Sequence, residues 1–527
     1  MKKSKLLLLS LPFLLLTSCG GAKVSSDTLV ITAVRLGYGL DWLYTLKDKY
    51  TEETGQKIKI IEQIGSDGNS AIQTELNSLA GRSDILAFRP NIYFKQIYQG
   101  SVKANNGNSY DCIFEDLTDI YTEKYDGETN NNTMEKKMYQ EFKDYCKVND
   151  KYYAIPWANG FMSIVRNLDV WKDLGYEESY YPRTTDEWFE LMDEMNTTIK
   201  NNNKQDSVAP MIYCKSDEYY TSIMTTWFAQ YEGKEEMQKF YNGLDPNGER
   251  SPNLYAYQGI LESLKVLDKL VEYDSKTKTY TYQSNRSDSV SFTQMQNYFQ
   301  LGAAAMCING TWLEIESKVS DAEIDYIKIP LVSSVTDRTT TIPNDEVLRE
   351  CVTFVDNHAK VGDNEGRPNG VSEEDIEIIR DSRISGAVQR EDYDHLFVVP
   401  SCSSNKVAAK KFLKWIYSDS SLQLFYDTMN GHHLPATLSN GDYNTNNTTV
   451  SKFRSGANKI IEEGYFCTYE LQTKKDKIFS VAGVSATYSN GISNACRALV
   501  EGKTPEQIVN ANIQKLTDEW TYISSCL

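Results

Sequence analysis

Two rhythms of apolar and polar positions run through residues 28–88. The run TLVITAV at 28–34 is almost unbroken in its apolarity, the pattern of a strand covered on both faces. Trp42, Leu43, Leu46 and Tyr50 then recur at helical spacing, and Gly55 supplies the left-handed stop. KIKII at 57–61 reads as a second strand. A helix is expected from about Asn69, with Ile72, Leu76 and Leu79 on one face and Gly81 at its end, and DILAF at 84–88 gives a third strand. This βαβαβ order predicts a parallel sheet with right-handed crossovers in an α/β lobe.

Later segments carry sharper punctuation. Thr184 and Glu187 have capping-box spacing ahead of a stripe of Trp188, Leu191 and Met195. Thr504, Pro505 and Gln507 open a last helix whose expected buried face is Val509, Ile513, Leu516 and Trp520. The small apolar run 303–308 ends in Asn309 and Gly310, which is turn chemistry closing a buried strand, and then presents Trp312. Asn-rich stretches such as NNGNS, GETNNNT and NGDYNTNNTT read as surface loops. No internal repeat is present.

The N-terminus adds a compartment. Lys2, Lys3 and Lys5 precede the apolar LLLLSLPFLLL, too short to span a bilayer, and the small-residue box Leu16, Thr17, Ser18, Cys19. That box resembles a bacterial lipobox, which implies cleavage before Cys19 and lipidation of its sulfur. The expected product is an exported body tethered to the outer face of the cytoplasmic membrane, touching the bilayer only through its lipid. The alternative is an ordinary secretory signal with an incidental cysteine.

Composition narrows the partners. Of the 527 residues, 40% are apolar, enough for sizeable cores, and the net charge of -18 argues against nucleic acid. Ten cysteines leave nine beyond Cys19, scattered and without a CxxC pair, so nothing in the spacing specifies a disulfide. The four histidines show no HExxH and no metal-like spacing, so neither a metal nor a cofactor is expected.

The order of segments resembles the bacterial extracellular solute-binding proteins of family 1, the substrate-capturing lipoproteins of ABC importers. GYGLDWLYTLKDKYTEETGQKIKI, DILAFRP, KYYAIPWANGFMSIVRNLDVWKDLGY, LGAAAMCINGTWLEI with IKIPL, NKVAAKKFLKWIYSDSSLQLFY with NGHHLPA, and ALVEGKTPEQIVNANI follow in the family's order. Residues 331–395 depart from the pattern, being longer and more charged than the family implies.

The resemblance implies an α/β, two-lobed, periplasmic-binding-protein-like fold, each lobe a mostly parallel sheet flanked by helices and joined by hinge strands. The expected division is a signal peptide at 1–18, a tether at 19–26, a first lobe of 27–156 and 328–401, and a second of 157–327 and 402–527. The hinge would be crossed near Trp157, Pro330 and Ser401. The implied partners are a small-molecule ligand, expected to be a carbohydrate and specifically an oligosaccharide, and ABC-transporter permease subunits, with the protein itself a monomer.

Candidate ligand contacts are Tyr38, Asp41, Arg89, Trp157, Asn159, Trp227, Trp312 and Tyr488, with His433 a further candidate. An indole covers the C–H face of a sugar ring while carboxylate, amide and guanidinium groups satisfy its hydroxyl rim. Trp312 either stacks on ligand or supports the hinge as a core residue. Asp41 either accepts ligand hydroxyls or caps the first helix. Arg89 either faces ligand or forms a surface ion pair, and Trp42 belongs to the core stripe. A lipid-anchored hydrolase with two placed carboxylates is the competing class, though nothing marks such a pair. A polyamine, a peptide or a phosphorylated glycerol are alternative ligands.

Overall fold

The computed structural model describes residues 27–527 except 91–92, 105–106, 130–131, 216–218, 392–394, 447, 464–465 and 468–475. The signal peptide and Cys19 therefore lie outside the described residues. The strands that build the two main sheets are β1 (Thr28–Arg35), β2 (Lys57–Ile64), β3 (Ile85–Phe88), β4 (Ile155–Pro156), β5 (Gly160–Asn167), β6 (Ala209–Ile212), β7 (Ala304–Gly310), β8 (Ile324–Ile327), β9 (Val388–Glu391), β10 (Leu396–Val398) and β11 (Phe466–Cys467). The helices used below are α1 (Asp41–Thr54), α2 (Gly65–Ser78), α3 (Thr185–Asn201), α4 (Tyr220–Glu232), α5 (Phe292–Gln300), α6 (Asp345–Asn357), α7 (Glu373–Ser385), α8 (Lys406–Ile416), α9 (Asp419–Thr428), α10 (Lys452–Glu463) and α11 (Pro505–Cys526).

The first sheet has the order β2-β1-β3-β10-β4 and the second β6-β7-β5-β9-β11, with β8 also on β5. β1 pairs in parallel with β2 and β3, as the βαβαβ pattern requires. Antiparallel pairs arise where the chain arrives from the other lobe: β10 runs against β3 and β4, and β5 against β7, β8 and β9. Each lobe has its own core. In the first, Leu29, Ile31 and Ala33 of β1 pack with Leu43 and Leu46 of α1 and with Phe412, Leu422 and Phe425 of α8 and α9. In the second, the two faces of β5 and β7 are covered separately. Met306 packs with Trp188, Trp227, Leu348 and Ile376 on one side, and Cys307 with Phe161, Phe453 and Ala457 on the other. The two-lobed α/β class expected from the sequence is the fold observed.

The division of the chain between lobes differs from the expectation. Residues 328–391 belong to the second lobe, because Ile329, Leu331, Leu348, Cys351, Ile376 and Ile379 bury themselves in its core. Residues 402–438 belong to the first, through Phe412, Leu422, Leu434 and Leu438. Pro330 is not a crossing: its carbonyl accepts from Trp227 Nε1, and the Leu331 amide donates to Arg183 O. Ser401 is not a crossing either, since its amide donates to Ile113 O within the first lobe. The chain crosses between β4 and β5 at Trp157, between β9 and β10, and between Leu438 and α10.

Smaller differences have local causes. α2 begins at Gly65 and ends when Leu79 turns left-handed at φ 46°, before Gly81 is reached. Thr184 caps α3 by accepting from the Glu187 amide, but the Glu187 carboxylate turns to the Arg183 amide at 2.7 Å and its guanidinium. α11 has the full capping box, yet its buried residues are Pro505, Ile508, Asn512, Leu516 and Ile523. Docking on the turn at Pro252–Tyr255 rotates the helix so that Val509, Ile513 and Trp520 are only partly covered. Among the described residues no helix is long and apolar enough to cross a membrane.

Candidate functional site

Four segments meet between the lobes, at the C-terminal ends of β1, β4 and β7 and the N-terminal ends of the antiparallel β5 and β10. Residues 37–38 follow β1, residues 157–159 join β4 to β5, residues 311–312 follow β7, and residues 432–433 follow α9. His395, just ahead of β10, and Arg454, in the first turn of α10, complete the cluster.

Trp312 is the centre of it. Its indole is partly exposed and packs against the cores of both lobes. Two glycines make room for it. A Cβ on Gly310 would lie 2.3 Å from Cη2 of the ring, and a Cβ on Gly37 would lie 2.9 Å from Cδ1. The ring is thus gripped between one backbone from each lobe. Tyr38 meets it edge-on at 6.0 Å between centroids, and Tyr219 does the same from the second lobe at 5.9 Å. Tyr219 in turn contacts Phe292 of α5 at 4.6 Å.

Behind the indole lies a buried polar group. The Tyr38 and Thr311 hydroxyls are 2.9 Å apart. Tyr38 stacks on His432 at 4.8 Å, and His432 Nδ1 lies 2.8 Å from Nη1 of Arg454. A guanidinium has no acceptor, so it donates and Nδ1 accepts, which leaves His432 neutral with its proton on Nε2. Nη2 of the same arginine donates to Thr311 O at 2.6 Å. Arg454 is 1% exposed. Next to it the Tyr326 ring stacks on Phe453 at 4.4 Å; burial pushes the Tyr326 hydroxyl well up from its ordinary value, with Arg454 acting in the opposite sense.

The hinge crossing is aromatic. Trp157 is buried, stacked on Trp42 at 5.7 Å and edge-on to His395 at 4.8 Å. His395 also meets Tyr38 at 6.2 Å. Asn159 is fully buried, its amide nitrogen 3.1 Å from His433 Nδ1.

Of the residues singled out in the sequence, Tyr38, Trp157, Asn159, Trp312 and His433 come together here. Arg89 sits at the C-terminal end of β3, on the same edge as Tyr38; the Asn69 side chain clamps its backbone amide and carbonyl, each at 2.8 Å, and it is partly exposed. Asp41 is the exposed first residue of α1, and its side chain makes no cap. Trp227 is fully buried in the second core. Tyr488 has its ring contacts with Phe479 and Tyr241, in the second lobe. The residues that sequence reasoning missed are Thr311, His395, His432, Tyr219 and Arg454. Arg454 did leave a signal: it occupies the buried stripe of Phe453, Ala457, Ile460 and Ile461, where a charged residue is out of place. Among the described residues no group of His, Cys, Asp and Glu is placed to hold a metal ion.

No family model and no curated relative matches the sequence. Solved structures do. The structure is similar to RafE in complex with raffinose at 14% identity, with 93% of this chain and 99% of that one covered and a TM-score of 0.58. An ABC-transporter solute-binding protein from Thermotoga lettingae bound with α-D-tagatose matches at 13% identity, with 94% and 99% covered and a TM-score of 0.58. Maltose-bound T. maritima MalE3 matches at 14% identity, with 93% and 99% covered and a TM-score of 0.54. The fold is that of the two-lobed, maltose-binding-protein-like solute-binding proteins.

Proposed function

We propose that this chain is a binding protein that captures a carbohydrate, an oligosaccharide, between its lobes and hands it to the permease subunits of an ABC importer. The observation that carries this reading is Trp312: a partly exposed indole held between the lobes by Gly37 and Gly310, at the carboxyl ends of the strands. Covering ~80 Å² of a sugar's C–H face contributes roughly 2 kcal/mol. Tyr38, Arg89, Trp157, Asn159 and Trp312 are the candidate contacts that line this region; Asp41, at the start of α1, stays a rim candidate. Trp227 and Tyr488 lie within the second lobe and are better read as packing residues. Buried side chains such as Trp157 and Asn159 take part by shaping the floor rather than by open contact.

The similar structures of bound raffinose, tagatose and maltose proteins support a sugar over a polyamine, peptide or phosphorylated glycerol. They also support capture without chemistry over hydrolysis. The N-terminal sequence supports lipidation at Cys19 and a membrane-tethered protein facing the outside, which we read as a monomer. Changing Cys19→Ala should release the protein from membranes or leave it unprocessed; a variant that is processed and still fractionates with membranes counts against the anchor.

The reading is tested by titrating galactose, maltose and raffinose and analysing the sugars by mass afterwards. Saturable binding with the sugar unchanged is the expected result. Turnover of any sugar would overturn the binding role, and binding of amino acids or peptides alone would overturn the carbohydrate class.

A further inference from the structure

We infer that Arg454 is a positioning residue, the pin of a clasp that joins the two lobes directly behind Trp312 and holds them together without ligand. The clasp is a closed circuit of four residues, two from each lobe, passing through the backbone at Thr311. Tyr38 and His432 belong to the first lobe; Thr311 and Arg454 belong to the second. Arg454 donates to Thr311 O at 2.6 Å and to His432 at 2.8 Å. His432 stacks on Tyr38 at 4.8 Å, and the Tyr38 hydroxyl closes the circuit on the Thr311 hydroxyl at 2.9 Å. A second bond runs alongside, from Asn458 Nδ2 on α10 to Gly431 O at 2.9 Å.

The chemistry of the pin is specific. Among the described residues the partners of the buried Arg454 guanidinium are an imidazole and a backbone carbonyl, not a carboxylate. Buried cations are costly unless their donors are used, and here the fork spends two of them on a backbone carbonyl of one lobe and an imidazole of the other. α10 is itself fixed in the second lobe by Phe453 stacked on Tyr326 and by Lys452 paired with Glu178 and Glu323. Arg454 therefore transmits a rigid hold to Thr311, whose successor is Trp312, and to the segment after α9. The inference rests on the site being interlobe and not on the ligand being a sugar.

The test is made on ligand-free full chain by small-angle scattering and hydrogen exchange. Arg454→Met should enlarge the radius of gyration and speed exchange in residues 309–316 and 429–436, with exchange in β1 and β6 unchanged. Arg454→Lys, which keeps the charge and loses the planar fork, should loosen the same segments by a smaller amount. Tyr38→Phe and Thr311→Val open the circuit at the hydroxyl pair without disturbing buried charge, and should move the same segments by a smaller amount; they decide the matter if Arg454→Met does not fold. Parent-like radius and exchange in the folded variants would overturn the clasp. Failure of every sugar to bind would leave these readouts intact, so the two ideas fail separately.

Discussion

At Gly310 the demand on a single residue is plain, since an added Cβ would sit 2.3 Å from the Trp312 ring. Its backbone does not lie in the left-handed region, so alanine is excluded by the indole and not by conformation. Gly310→Ala should push the ring from its seat, at a folding cost of about 1–3 kcal/mol for overpacking. Ligand affinity should fall at the same time, and titration beside urea unfolding reads both. Full affinity in the variant would mean that Trp312 does not touch ligand. The sequence showed Trp312 and the buried strand before it, but Asn309 and Gly310, expected to form a turn, stay in that strand, paired with Ser163 and Met162. It did not show Arg454 or His432 as partners, because 22 positions separate them and their meeting depends on how two lobes abut.

Elements are legible where their signal is periodic and ambiguous where the signal fits two homes. β1, α1 and α3 followed from apolar spacing and caps. The segment after β8 did not: its apolar faces are clear in α6 and α7, but nothing local says which sheet they cover. Burial of those faces in the second core decides it in the structure, and charge then holds the two helices to each other. Arg383 of α7 holds Asp356 of α6 through two bonds of 2.9 and 3.0 Å and donates to Ile329 O at 2.7 Å. Burial alone would push the Asp356 carboxyl up; the Arg383 guanidinium and Lys328 outweigh it and hold the carboxyl below the usual range. A carboxyl depressed in the folded state contributes stability fully above its unfolded value, near 3.9, and loses it as pH falls through the folded one. Asp356→Asn should therefore cost about 3–5 kcal/mol at neutral pH, as expected when a buried pair loses one member. The variant should also lose less stability than the parent on acidification below about pH 4. Equal acid sensitivity in urea titrations at both pH values would show that this pair does not stabilise the packing of α6 on α7.

On the scale of the whole molecule, two cores are joined by three crossings and by the contacts around Trp312. One crossing, at Trp157, was legible because it lies inside a motif; the other two were misplaced because apolar pattern does not record where the chain changes lobes. The arrangement has a thermodynamic consequence. A ligand seated between the lobes makes contacts with both, so opening either one releases it. Binding to the folded form alone adds RT ln(1 + [L]/Kd), about 2.7 kcal/mol at a hundredfold excess over Kd. That increment should appear in both lobes together. Hydrogen exchange supplies independent reporters: amides of β1 for the first lobe and of β6 for the second. With saturating sugar, the opening free energies at both sites should rise by the same amount, and a ligand with equal affinity for open and closed arrangements would raise neither closure nor coupling. Protection that rises in β6 and not in β1 would place the ligand on the second lobe alone, and the interlobe site would have to be given up.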